Sequence, residues 1–211
     1  MKIYLATNNL HKKKEMEAIF TNHEIVIPSD EGITFNPEET GKTFAENSLL
    51  KAKTLWKIVH QPVLADDSGI CVDILNGVPG IYSARYAGKN MHTGMKNGEK
   101  ISQAAQNKLL IEETNEAVEK VKVDMENPRS CRYVCALTLY FGPDRYYLIQ
   151  ETLEGNLIKD LSEQKGCGGF GYDPIVLLKG ENRTIAQLTE EEKNEISHRG
   201  KAGKVLNKLI S

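Results

Sequence analysis

Four short segments carry side chains whose types and spacing can do chemistry. In Thr7-Asn8-Asn9-Leu10-His11-Lys12-Lys13-Lys14, a short apolar strand meets a basic helix. Backbone amides at a helix N-terminus attract anions, and Thr, Asn and Lys add donors suited to phosphate oxygens. The alternative is a polar turn before a solvated basic helix face. No G-x-x-x-x-G-K-[ST] occurs, so this is not the usual P-loop. In the second segment, Asp66-Asp67 ends an otherwise uncharged strand, and Glu46 lies in the first turn of the preceding helix. Three carboxylates converging at a strand end suit Mg²⁺, a hard cation that takes a few carboxylates, waters and substrate phosphates. One of them could also orient or deprotonate a water. Against this, a helix capping box explains Glu46 without metal, and a plain turn explains the aspartates.

The third segment, Gly166-Cys167-Gly168-Gly169-Phe170-Gly171-Tyr172-Asp173-Pro174, formally satisfies G-x-G-x-x-G. Its context is wrong for a dinucleotide fold, because no buried strand precedes it and Asp-Pro replaces the following helix. Its glycines let the backbone approach a ligand closely, and Phe170 could stack on a planar ring. A glycine-rich hairpin with a core phenylalanine is the plain alternative. The fourth segment is Glu192-Lys193-Asn194-Glu195-Ile196-Ser197-His198-Arg199-Gly200. Lys193, His198 and Arg199 offer three donors within seven residues, and Ser197 is a candidate N-cap for the last helix. Read without function, it is a charged helix and its cap.

The elements that must position these side chains follow from the apolar pattern. Ile3–Ala6 predicts a buried strand, and Glu15, Met16, Ala18, Ile19 and Phe20 then continue at helical spacing. Glu24–Ile27 predicts a second strand. From Thr43, apolar positions through Val59 define a long amphipathic helix, opened by the capping box Thr43-Phe44-Ala45-Glu46. Pro62–Ala65 and Cys71–Ile74 predict two further strands on either side of Asp66-Asp67-Ser68-Gly69, and Asn76–Gly80 a loop. Ile101–Glu113 predicts a helix and Glu116–Arg129 an exposed connection. Cys131–Phe141 and Arg145–Leu153, around Gly142-Pro143-Asp144, predict a hairpin. Glu190 onward is helical with a break near Ser197–Gly200. Strands alternating with long helices, plus one hairpin, make an α/β protein with a mixed sheet.

A chain of 211 residues suits one domain or one domain of two lobes, burying roughly 70% of its unfolded surface. With 40% hydrophobic and 27% charged residues, it has the profile of a globular protein. The net charge of −2, from 27 basic and 29 acidic residues, argues against a nucleic-acid partner held by bulk charge. No run reaches the ~18 apolar residues of a membrane helix, and the start turns polar too soon for a secretory signal. The four cysteines include no C-x-x-C pair, so free thiols in a reducing cytoplasm are expected.

Together and in this order, the segments resemble the inosine triphosphate pyrophosphatase family, hydrolases of non-standard purine nucleoside triphosphates such as ITP, dITP and XTP. The matching stretches are Thr7-x-Asn9-x-x-Lys12, Thr43-Phe44-x-Glu46-Asn47, Ala65–Ile70, Gly77–Tyr86, Gly169–Pro174 and Glu192–Gly200. The resemblance implies a single domain over 1–211 with an elongated mixed sheet flanked by helices. It also implies two lobes with the active cleft between them, a homodimer, and Mg²⁺-dependent cleavage between the α and β phosphates. Carried over by position, Thr7, Asn9 and Lys12 hold phosphates within a substrate-binding run that includes Asn8, Leu10 and His11. Glu46 and Asp67 serve the metal, and Asp67 is also the general base, with Ser68 beside it. Phe170 stacks on the base within Phe170-Gly171-Tyr172-Asp173, and Asp173, Lys193, His198 and Arg199 read its edge. The stretch from Lys89 to Arg129 matches only through Asn107-x-x-Leu110. The rival readings are a pyrophosphatase of modified pyrimidine nucleotides and a nucleotide sensor without turnover. Retained carboxylates argue against the sensor, since negative charge beside a triphosphate gains nothing without a metal.

Overall fold

The unbroken apolar run Ile3-Tyr4-Leu5 suits a strand covered on both faces, and it forms the inner strand β1 (Lys2–Leu5). Strand β1 pairs in parallel with β2 (Glu24–Val26) on one side and β3 (Val63–Val72) on the other. The computed structural model describes residues 1–88, 94–96, 99–121, 126–166 and 171–211. Its main sheet is mixed and seven-stranded, in the order β2-β1-β3-β7-β8-β9. Strands β7 (Ser130–Gly142) and β8 (Arg145–Leu157) flank the expected Pro143-Asp144 turn, and β9 (Val176–Leu178) lies antiparallel to β8. A short strand β4 (Val78–Pro79) runs antiparallel to the end of β3, within what the sequence predicts as a loop. Two further two-residue strands, β5 (Met95–Lys96) and β6 (Glu99–Lys100), pair with each other.

The helices are α1 (Leu10–Ile19), α2 (Phe44–Val59), α3 (Gln103–Lys120), α4 (Glu190–Ile196) and α5 (His198–Ile210). Among them, none is long and apolar enough to cross a membrane. Helix α2 begins as its capping box predicts: Thr43 Oγ1 accepts from Glu46 N at 3.1 Å, and Glu46 Oε2 accepts from Thr43 N at 3.2 Å. Helix α3 runs seven residues past the expected Glu113, so the first part of the expected connection is helical. The expected break between α4 and α5 falls at Ser197, whose Oγ accepts from Gly200 N at 2.9 Å.

The chain divides into two compact units. The first contains residues 1–68, 134–152 and 194–211, and the second contains residues 69–133 and 153–193. Within the first unit, alternation along β1 and β3 separates two apolar clusters. Ile3, Leu5 and Leu64 pack with Met16 and Phe20 of the α1 region and with Ala202 and Leu206 of α5. Tyr4, Ala6, Val63 and Ala65 pack instead with Ala52 and Leu55 of α2.

One strand differs from the sequence expectation. Asp66-Asp67-Ser68-Gly69 is not a turn between two strands but the middle of the continuous strand β3. Two physical facts override its turn-like composition. Both carboxylates find cations, Asp66 on one face of the strand and Asp67 on the other. In the second unit, the backbone around Gly69 lies too close to Gly80 and Ser83 for any side chain. A Cβ there would sit 2.4 Å from the Gly80 carbonyl oxygen and 2.4 Å from Ser83 Oγ. Cys71, Cys131 and Cys135 are free and buried, and burial pushes the Cys135 thiol up to about 12. Cys167 lies outside the described residues.

Gly69→Ala forces apart backbone that cannot yield as a side chain would, so it should lower stability by roughly 1–3 kcal/mol, the range for overpacking. Urea denaturation measures this. A midpoint equal to that of the wild type would show that β3 has room at this position.

Candidate active site

The alternation that sorts the core also sorts the two aspartates. Asp66 shares the face of Leu64 and meets α1 and α5, whereas Asp67 shares the face of Val63 and Ala65 and meets α2. Asp66 is buried. Its Oδ1 contacts Lys12 Nζ at 2.7 Å, and its Oδ2 accepts from Arg199 Nε at 3.1 Å and Nη2 at 3.0 Å. Ser68 Oγ donates to the same oxygen at 3.1 Å and accepts from Arg199 Nη2 at 2.9 Å. Arg199 Nη1 also donates to Glu15. Burial alone would raise the Asp66 pKa, but Lys12, Arg199 and Lys51 outweigh it and hold the carboxyl well below its ordinary range. Asp66 therefore holds its negative charge more firmly than an ordinary carboxyl.

Asp67 has a different balance. Its Oδ1 contacts Lys51 Nζ at 2.8 Å, and its Oδ2 accepts from Asn47 Nδ2 at 3.2 Å. The same Lys51 ammonium reaches Glu39 Oε1 at 2.9 Å. Burial raises the Asp67 pKa, and the Lys51 charge only partly offsets it. Two neighbouring carboxyls thus hold protons with different strength, Asp66 more weakly and Asp67 more strongly than an ordinary carboxyl.

The segment expected to bind phosphate closes the α1 N-terminus. Asn9 caps the helix by accepting from His11 N at 2.9 Å and Lys12 N at 3.4 Å, while Thr7 Oγ1 accepts from Asn9 N at 3.1 Å. Asn8 Nδ2 donates to the Phe35 carbonyl at 2.8 Å, and Leu10 is exposed. In the second unit, Lys193 Nζ lies 2.7 Å from Asp173 Oδ2. Tyr172 donates its hydroxyl to the Ser83 carbonyl at 2.9 Å, and Asn107 Nδ2 donates to the Gly171 carbonyl at 3.3 Å. Burial and the Asp173 carboxylate hold the Tyr133 hydroxyl well above its usual range. His198 is buried in the first turn of α5, next to Arg199 in the first unit. Phe170 lies outside the described residues.

Beside Asp67, Glu39 and Lys51 escape the sequence reading, and Asn47 enters it only as a motif residue without a role. Asn47 Oδ1 also accepts from Gly41 N at 2.8 Å, tying the loop that carries Glu39 to α2. Ser48 Oγ donates to the Ala65 carbonyl at 2.9 Å and shares a hydrogen bond with Thr138 at 2.8 Å, seating α2 on the sheet. A signal was present in the sequence. Asn47 and Lys51 are one helical turn apart, beside Ser48, Ala52 and Leu55, on the face that should be apolar. A lysine there must meet a buried anion.

Among the described residues, no group of three or more His, Cys, Asp or Glu side chains could hold a metal alone. Mg²⁺ asks less than that, because one or two carboxylates suffice when substrate phosphates and waters complete its shell. The donor chemistry fits. Asp67 and Glu39 aim hard oxygens at one point, now the Lys51 ammonium, and their two charges exceed its one. Glu46 Oε2 accepts from Lys42 N at 2.6 Å and from Thr43 N at 3.2 Å.

The Ham1 family model matches residues 3–209. The dITP/XTP pyrophosphatase of Treponema denticola is 49% identical over 203 residues, which cover 96% of this chain and 94% of that protein. The dITP/XTP pyrophosphatase of Escherichia coli is 39% identical over 208 residues, covering 97% and 95%. Among solved structures, the Ham1 protein of Staphylococcus aureus superposes with a TM-score of 0.81 at 33% identity, covering 100% of this chain and 98% of that one. The HAM1 protein of Coxiella burnetii gives 0.82 at 32% identity with the same coverage.

Asp66→Asn leaves two partly exposed cations facing a neutral amide, at a cost below the about 3–5 kcal/mol of breaking a fully buried pair. Because the folded carboxyl titrates below its unfolded value, its stabilisation is complete at neutral pH. It is lost as the pH falls through the lowered folded value. The deficit of Asp66→Asn, measured by urea denaturation, should therefore be large at pH 7 and shrink in acid. A deficit independent of pH would mean that the lost contribution is not ionic.

Proposed function

The chain belongs to the Ham1 family, and we propose that it hydrolyses dITP, ITP and XTP to the nucleoside monophosphate and pyrophosphate, clearing non-standard purines from the nucleotide pool. The observation that carries the mechanism is the asymmetry of the adjacent aspartates. Asp66 is locked as an anion by Lys12 and Arg199, whereas Asp67, its pKa raised by burial, can accept a proton.

In this reading the triphosphate lies at the α1 N-terminus, held by Thr7, Asn9 and Lys12 within the 7–12 segment. Asp67 accepts the proton of a water that attacks the α phosphorus. The bond to the α–β bridging oxygen breaks, and pyrophosphate leaves with its electron pair. Mg²⁺, when bound, neutralises charge on the phosphate oxygens and the leaving group. Asp67 and Glu39 would hold it, with Glu46 ordering the loop between them through its cap. Lys51 holds these two carboxylates together without it. A homodimer in the cytoplasm, as the resemblance implies, completes the proposal.

The base is read through hydrogen bonds. Hypoxanthine and xanthine present an acceptor oxygen at position 6 and a proton on N1, the inverse of adenine. A donor at Lys193 and an acceptor at Asp173, with His198 and Arg199 as further donors and Phe170 stacking on the ring, would fit the first pair and oppose adenine. Arg199 also secures Asp66, so its variants would disturb the first unit. Lys193→Ala is the cleaner probe.

A panel of nucleotides assayed with and without EDTA, with products identified, tests the reaction: monophosphate plus pyrophosphate are expected, and diphosphate plus phosphate would refute it. Asp67→Asn should cut turnover about 10²–10⁴-fold at saturating Mg²⁺, the scale of general-base catalysis. Near-normal activity would remove Asp67 from the chemistry. Glu39→Gln should raise the Mg²⁺ concentration for half-maximal rate more than Glu46→Gln does, and the reverse order would return the second metal ligand to Glu46. Lys193→Ala should compress the ratio of kcat/KM for ITP over ATP by about tenfold, the scale of a lost hydrogen bond to a charged group. Equal losses on both nucleotides would place Lys193 outside base recognition.

A further inference from the structure

Helix α3 lies in the stretch that the family resemblance leaves almost unexplained, matched only by Asn107 and Leu110. Leu110 is fully buried and belongs to the core. Asn107 is also buried, but its side chain is polar and must be satisfied. Its Nδ2 donates to the Gly171 carbonyl at 3.3 Å, and its Oδ1 accepts from Gln103 Nε2 at 2.9 Å. A backbone carbonyl can only accept, so the Asn107 nitrogen must face Gly171 and its oxygen must face Gln103. The four-residue spacing puts Gln103 and Asn107 on one face of α3, so the helix itself sets the line of donors. Gly171 has a φ of +66°, a conformation in which glycine turns the chain without strain.

The two residues after Gly171 are anchored as well. Tyr172 is tied through its hydroxyl to the Ser83 carbonyl, and Asp173 through its carboxylate to Lys193. Three consecutive residues are therefore anchored to three separate elements: α3, the segment Gly80–Arg85, and α4. The buried hydroxyl of Tyr172 and its packing already hold this segment in the fold. The Asn107 bond adds control over one peptide plane, the one between Gly171 and Tyr172. Rotation of that plane would re-aim the backbone on both sides, towards Asp173 and back into the glycine-rich run.

We infer that Asn107, buttressed by Gln103, is a positioning residue for recognition of a 6-oxopurine base, acting through the Gly171 carbonyl to fix where Asp173 presents its acceptor. This rests on the proposed reading of the base by Asp173. Asn107 does not touch substrate. Its loss should therefore appear in KM and in base selectivity, with little change in kcat.

The test uses the full chain and two variants. Asn107→Asp keeps the shape and the acceptor for Gln103, but sets an oxygen against the Gly171 carbonyl. KM for ITP and XTP should rise about tenfold, as expected for a buried acceptor losing its donor. The kcat should stay within about threefold, and the constants for ATP should be unchanged, compressing the selectivity ratio. Gln103→Ala removes only the exposed buttress and should shift KM for ITP the same way by about twofold to threefold. Equal losses on ITP and ATP, or an unchanged ITP KM in a variant with cooperative thermal unfolding, would overturn the inference. If Asn107→Asp does not fold, Gln103→Ala decides alone, and an unchanged KM overturns it. Lys193→Ala, assayed alongside, separates the two layers. A ratio compressed by Lys193→Ala and untouched by Asn107→Asp overturns the positioning role only. A ratio compressed by Asn107→Asp and untouched by Lys193→Ala keeps that role and removes Lys193 as a reader.

Discussion

Two adjacent carboxylates buried in the middle of a strand would repel each other and forfeit hydration unless each met its own positive charge. Strand β3 resolves this by pleating. Asp66 faces α1 and α5, where Lys12 and Arg199 wait, and Asp67 faces α2 and Lys51. Much of the first unit follows from this constraint. Helix α1 must start where Lys12 can reach back to the strand, which the Asn9 cap arranges. Helix α5 must start where Arg199 lies within its first turn, which Ser197 arranges. Helix α2 must carry a lysine on a buried face that is otherwise uncharged. The caps are thus part of the electrostatic design, since each fixes the turn from which a cation projects.

The unequal neutralisation sets the two carboxyls apart. With two close cations, Asp66 is a fixed charge that orients Ser68 and the Lys12 ammonium. With one cation shared with Glu39, Asp67 keeps enough of its burial penalty to bind a proton more readily than an ordinary carboxyl. The second unit works by different means. Its key residues sit on a segment with little regular structure, so precision comes from anchors at Gly171, Tyr172 and Asp173 rather than from a strand or a helix. Hydrogen bonds from buried amide and hydroxyl groups suit that task because their geometry is directional and their loss is costly.

Much of the fold was legible in the sequence wherever a local rule was also a global one. The capping box at Thr43, the cap at Ser197, the hairpin around Pro143-Asp144 and the first strand all follow from patterns within a few residues. The ordered motifs also pointed to the family. Where reading failed, the cause was non-local. Asp-Asp-Ser-Gly has turn chemistry, and it is contacts far along the chain, including cations 54 residues before and 133 residues after Asp66, that make it a strand. Glu39 stayed hidden because a loop glutamate looks solvated, and Lys51, although its place on the inner face of α2 calls for a buried anion, does not say which carboxylates it joins. The end of α3 was misjudged because its charged surface reads as a connection. Asn107 stood out as a motif fragment, but its partner, a glycine carbonyl 64 residues on, has no side chain to betray it.

The pleating of β3 has a consequence for how the chain reaches its native pairing. Sliding the strand by one residue would exchange its faces, bringing Asp67 to the side of α1 and α5 and a serine to the side of α2. Lys51 would then face a hydroxyl in place of Asp67 and keep only Glu39, losing the more deeply buried of its two anions. Apolar strands of similar residues tolerate such slips more easily, because one valine replaces another. Here the two carboxylates act as a key that turns in a single position. The buried charges of the strand thus also proofread the assembly of the sheet that holds them.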